Sequence, residues 1–188
     1  MGGPFFVPNP YTEDPVPYVW RARFPPEIQA RLVSEHNPQG SITNSDLELA
    51  GAIGQEDVIA HTTDVREQYV YTLDDNTPTI SWQGKGSTTT TGPAAYLLRV
   101  QALHQRYYRY CPCFSHITGE ANVIVDDCSR LWHLSDDEFL AYLNLTYPQK
   151  QPWRLCQPRP KRLSTLISAL LKKRPEPESF LAPPELPT

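Results

Sequence analysis

Twenty prolines in 188 residues decide where regular structure can run in this chain. Proline lacks a backbone donor, so each one marks an edge strand, a boundary or a first helical turn. They crowd the N-terminal part, at 4, 8, 10, 15, 17, 25, 26 and 38. The apolar runs between them, residues 5–7 and 18–24, are predicted as short strands. Pro25-Pro26 opens residues 27–33, a strand or a helical turn. Residues 175–188 are rich in proline and are predicted to be disordered.

Helical patterns fill the middle. Residues 44–62 place Leu47, Ala50, Gly51, Gly54 and Val58 at helical spacing, and the small residues imply close packing on a sheet. Ser45 is the expected N-cap, with Glu48 three residues on as a capping box and Asp46 at the positive end of the helix dipole. Residues 69–73, β-branched and aromatic, read as a strand ending at Asp74-Asp75-Asn76. A short helix over 78–83 follows, then a loop over 84–92 whose glycine and lysine spacing is wrong for a phosphate loop. Pro93 suits the start of a second long helix reaching Tyr108. That helix is expected to gather Tyr96, Val100, Leu103 and Tyr107 on one side and Arg99, Arg106 and Arg109 on another. A strand over 113–117, a turn at Gly119, and helices over 122–132, 136–145 (capped by Ser135) and 163–172 complete the pattern. Strands and helices alternate, which predicts an α/β fold.

Composition narrows the function classes. The net charge of −4 argues against a generic polyanion binder, but residues 150–174 hold eight basic side chains and no acidic one. No apolar run approaches the roughly 18 residues of a membrane-spanning helix, and no signal-type start is present. Cys111-Pro112-Cys113 lacks the gap of a zinc knuckle and has no second pair, so Cys111, Cys113, Cys128 and Cys156 read as reduced thiols. His61, His104, His116 and His133 form no pattern with a nucleophile, and no serine sits in a nucleophile elbow.

Three carboxylates stand out. Glu48, Asp75 and Asp126 occupy a helix start, a strand end and a helix, places from which oxygen ligands can converge on a pair of Mg²⁺ ions. Each also has an ordinary role: capping residue, turn residue, solvated helix residue. Their neighbours Asp74 and Asp127 are expected to face solvent.

Their settings resemble a known family. Thr43-Asn44-Ser45-Asp46-Leu47-Glu48 resembles the ribonuclease H helix that carries the second catalytic carboxylate. Tyr71-Thr72-Leu73-Asp74-Asp75-Asn76 resembles that family's fourth strand, with Asp75 at the catalytic aspartate. Gly119, Asn122, Asp126, Ser129 and Arg130 are in register with the motif Gly-x-x-Asn-x-x-Ala-Asp-x-Leu-Ser-Arg that closes the ribonuclease H domain of gypsy-type and DIRS-like reverse transcriptases. Val125 and Cys128 replace that motif's alanine and leucine. The resemblance covers about residues 1–132.

It implies a ribonuclease H-like mixed sheet flanked by helices over 1–133, a basic helical extension over 134–174, and the proline-rich tail. It implies Mg²⁺, or Mn²⁺ in its place, held by Glu48, Asp75 and Asp126, and an RNA-DNA hybrid whose RNA strand is cut. It also implies an upstream reverse transcriptase domain in a parent polyprotein, and an intracellular setting, cytoplasmic or nuclear, with no membrane partner. The family's first, central strand and its aspartate have no counterpart: Met1-Gly2-Gly3 matches the turn after it. An N-terminally truncated, weakly stable and inactive nuclease fragment is therefore expected, with open sheet edges. A non-catalytic nucleic-acid binder using Arg99, Arg106, Arg109 and the basic segment is the alternative, as is a gene product with no function of its own.

Overall fold

The computed structural model describes residues 1–174; the expected disordered tail lies outside them. In chain order the strands are β1 (Gly2–Val7), β2 (Val16–Arg21), β3 (Tyr69–Asp74), β4 (Cys111–His116) and β5 (Arg154–Leu155). The helices are α1 (Pro26–Gln29), α2 (Asn44–Thr62), α3 (Thr77–Lys85), α4 (Ala94–Tyr108), α5 (Val123–Arg130), α6 (Asp136–Thr146) and α7 (Pro160–Leu170). The fold is mixed α/β, with helices flanking a small three-stranded mixed sheet and a two-stranded parallel one. No described helix is long and apolar enough to cross a membrane.

The strands form two separate sheets. β1 and β2 make an antiparallel hairpin with Gly2 opposite Arg21, and β5 adds in parallel to β2. β3 and β4 pair in parallel, Tyr69 opposite Cys111 and Asp74 opposite His116. Neither β1 nor β3 has a strand partner on its other side among the described residues. Pro112 is tolerated because β4 pairs on one side only. Residues 27–33 settle as one helical turn, α1, whose Ile28 is fully buried.

The cap of α2 differs from expectation. Thr43, not Ser45, is the N-cap: Asp46 N donates to Thr43 Oγ1 at 3.3 Å, and Thr43 N donates to Asp46 Oδ2 at 2.8 Å. The cap lies two residues earlier than Ser45, which makes Asp46 the box partner and releases Glu48 from capping. At α6 the box forms as expected, Ser135 with Glu138.

α2 is buried on nearly every side, from Leu49, Ala50 and Ile53 to Glu56, Asp57 and Val58. Gly54 is small for a reason: a Cβ there would lie 2.6 Å from the Trp20 ring of β2. α4 buries Leu97, Leu98, Val100, Gln101, His104 and Tyr108, while Tyr96, Leu103 and Tyr107 are only half-buried. The stripe is rotated because two carboxylates of α2 enter the core and need Gln101 and His104 as partners. Arg109 leaves the helix as its left-handed C-cap, at φ 56°.

Residues 134–174 share this packing. Leu166, Ala169 and Leu170 of α7 lie in one apolar cluster with Ile53 of α2 and Leu97 of α4. Phe139 and Leu143 of α6 lie with Val19 of β2, Cys128 of α5 and Trp153 in another. Burying side chains of this size contributes about 1.5–3 kcal/mol each.

Candidate active site: the carboxylates of α2 and β3

A short relay brings the end of β3 to the start of α2. Asp74 closes the strand and its Oδ1 accepts from Asn76 N at 2.7 Å. Asn76 then caps α3, its Oδ1 accepting from Thr79 N at 3.0 Å. Buried Thr79 donates from Oγ1 to Ser45 O at 3.3 Å, so the starts of α3 and α2 are tied together. Glu48, one turn along α2, thereby faces the strand end.

The electrostatics record that meeting. Burial raises the Glu48 pKa, and the charges of Asp74 and Asp75 push it further up; the Met1 ammonium and a hydrogen bond with Asn44 oppose them. Burial also raises Asp74, with Asp75 adding to it and the Asn76 amide opposing. Asp74 is half-buried and Asp75 exposed, the reverse of a solvent-facing Asp74. The Met1 ammonium donates to Ala22 O at 3.1 Å, and burial lowers its pKa against the pull of Glu48. Gly119 comes close as well: a Cβ there would sit 3.6 Å from Asp75 Oδ2.

Asp126 stands apart. It is exposed on α5 and pairs with Arg130, one turn on, at 3.2 Å. Its neighbour Asp127 is the anchored one, accepting from Tyr142 at 2.9 Å and Tyr147 at 2.7 Å. Among the described residues no group of three or more His, Cys, Asp or Glu is placed to hold a metal ion. The donor chemistry of Glu48, Asp74 and Asp75 suits a hard cation, but the carboxylates crowd one another without converging as ligands. The site as it stands does not fit a pair of Mg²⁺ ions.

The expected arginine face is also divided. Arg99 and Arg106 are exposed on α4, but Arg109 pairs with Glu67, and His104 of the same helix is fully buried. The basic segment loses two members to the interior. Asp57, with its side chain 1% exposed, receives Arg162 Nε at 3.0 Å, Arg159 Nε at 3.3 Å and His104 Nε2 at 3.2 Å. Burial opposes its charge, yet His104, Arg159 and Arg162 outweigh burial and hold the carboxyl below its usual range.

Glu56, beside it, is equally buried. It faces Gln101 Nε2 at 3.2 Å and the Tyr110 hydroxyl at 2.7 Å, and the same hydroxyl lies 2.8 Å from His104 Nδ1. Sequence reasoning missed this network. The available signal was that Glu56 and Asp57 continue the apolar stripe of Leu49 and Ile53 at helical spacing.

Comparison with family models, with curated proteins and with solved structures returns no match.

Proposed function

We propose that this chain is a ribonuclease H-type nuclease scaffold of retroelement descent whose active centre is incomplete, so that by itself it does not cut the RNA strand of an RNA-DNA hybrid. The observation that carries this is the break between β1 and β3. In the family the first strand lies between the hairpin and the fourth strand and brings the aspartate that bridges the metals. Here the hairpin and the β3–β4 pair form separate sheets, and Glu48 meets Asp74 and Asp75 beside that break. What is left is a carboxylate cluster lacking its central member, with Asp126 turned to Arg130.

Hard-cation binding there is expected to be single and weak. Mn²⁺ titration followed by amide NMR should broaden signals around Glu48, Asp74, Asp75 and Gly119 first, and Glu48→Gln should weaken that effect. Broadening elsewhere, or none, would refute the assignment. Mg²⁺-dependent hybrid cleavage by the folded chain should be absent. Cleavage that disappears in Asp75→Asn would show a working nuclease and overturn the incomplete centre.

A non-catalytic nucleic-acid binder is favoured by one observation. Arg99 and Arg106 are exposed on α4 and make no ion pair among the described residues. Hybrid binding should then weaken with salt and with Arg99→Ala plus Arg106→Ala.

A further inference from the structure

His61 lies in the last turn of α2, and Cys156 directly follows β5. They are far apart in sequence, yet the Cys156 Sγ lies 3.5 Å from His61 Nε2. The other ring nitrogen, Nδ1, lies 2.8 Å from the Asp57 carbonyl oxygen. A carbonyl oxygen only accepts, so Nδ1 carries the ring proton and Nε2 offers its lone pair to the thiol. The Asp57 carboxylate stands 3.9 Å behind the ring and favours the imidazolium. A nucleophile, a base and a group orienting the base are thus in line.

The thiol is held in place. Cys156 N donates to Val19 O at 2.8 Å, extending the β2–β5 pairing. Thr62 Oγ1 is 3.3 Å from Sγ and donates to Val58 O at 2.6 Å, a proton it can turn to the thiolate. Cys156 is half-buried and His61 reaches solvent, so a small reagent can enter. The titratable and charged groups around the pair are Asp57 on α2, His104 on α4, and Arg159 and Arg162 flanking and on α7; the last three all contact the Asp57 carboxylate.

We propose that Cys156 is a nucleophilic thiol activated by His61, and that it is a site of reversible S-thiolation by low-molecular-weight disulfides. His61 Nε2 takes the thiol proton, and the thiolate attacks one sulfur of the disulfide. A new bond forms from Cys156 Sγ to that sulfur. The old sulfur–sulfur bond breaks, its electron pair leaving on the second sulfur, which takes the proton from His61. One thiol and one disulfide are consumed and one of each is made, so no outside oxidant enters. The direction of the ionisations agrees. Burial opposes the Cys156 thiolate, but His61 and Thr62 outweigh it and lower the pKa, while the contact with Cys156 raises that of His61.

The test is site-resolved thiol labelling of the full chain by mass spectrometry, over about pH 6 to about pH 9. Iodoacetamide reports the thiolate, and oxidised glutathione reports the mixed disulfide. Exposed Cys111 is the internal reference and buried Cys128 the unreactive one. Cys156 should label with a midpoint below that of Cys111 and should carry the glutathione adduct, reversed by dithiothreitol. His61→Gln should slow Cys156 several-fold near neutral pH and leave Cys111 unchanged. Asp57→Asn is avoided because that side chain holds the core together; His61→Asn serves as the second variant. Equal midpoints for Cys156 and Cys111, or no change in either His61 variant, would overturn the proposal.

Discussion

Glu56→Gln should remove a defined pH-dependent component of stability. Glu56 is 1% exposed and its pKa rises from 4.5 to about 7, burial being the main cause and hydrogen bonds with Tyr110 and Gln101 opposing it. A displacement of that size corresponds to about 3 kcal/mol. Because the folded pKa is raised, this stabilisation is complete below the unfolded value and is lost as pH climbs through about 7.

Hydrogen bonds to the carboxylate favour its charged form, but the chain of groups beyond Tyr110 suits a proton on Glu56. Burial lowers the His104 pKa, so that ring is neutral as well, with one proton for two partners. If Glu56 donates to the Tyr110 oxygen, Tyr110 donates to His104 Nδ1, and His104 Nε2–H donates to Asp57. Every proton then points toward the charged carboxylate. An ionised Glu56 would claim the Tyr110 proton and leave His104 Nδ1 facing an oxygen without a proton between them. A glutamine at 56 donates in the same direction, and its Oε1 still accepts from Gln83 Nε2 and Gln101 Nε2.

Urea unfolding between about pH 5 and about pH 8 measures the effect. His104 acts oppositely, since its lowered pKa costs stability as pH falls, so the quantity to follow is the variant minus the wild type. That difference should grow by about 3 kcal/mol in favour of the variant as pH rises through the window. A difference independent of pH would show that Glu56 is ionised throughout.

Three further outcomes follow from the packing. Asp57→Asn should cost about 3–5 kcal/mol in urea unfolding, because it leaves Arg159 and Arg162 beside a neutral side chain. Gly54→Ala should cost about 1–3 kcal/mol and alter the near-ultraviolet signal of Trp20, since the new methyl meets the ring. Leu166→Ala should cost about 2–5 kcal/mol, as expected of a residue in the main core; a loss below about 0.5 kcal/mol would mean that α7 is peripheral.

What was legible in the sequence was local. Prolines and β-branched runs located β1, β2 and β3, and periodicity located α2, α4 and α6. The cap of α2 was misplaced because Thr43 and Ser45 each precede an acidic residue by three positions, and only the start of the helix decides between them. Glu48 and Asp75 beside the β3 end were legible as neighbours only through the motifs that carry them, not through the capping relay that ties the two element ends. Asp126 was not, because nothing local says that an exposed helical aspartate will choose the arginine one turn on. The buried network and the Cys156–His61 pair depend on contacts between distant segments. Helical spacing marks Glu56 and Asp57 as buried, but no local pattern names their partners or joins His61 to Cys156.

The Asp57 clamp sets an order of assembly for a chain emerging from a ribosome. Arg159 lies 102 residues downstream of Asp57. At about 5–20 residues per second, the carboxylate waits roughly 5–20 s for its guanidinium groups. His104 arrives earlier, 47 residues on, but burial disfavours its charge. Until Arg159 and Arg162 emerge, α2 can enter the core only with an unneutralised carboxylate, so that face stays wet. The middle of this protein is therefore completed by nearly the last described part of it to be made.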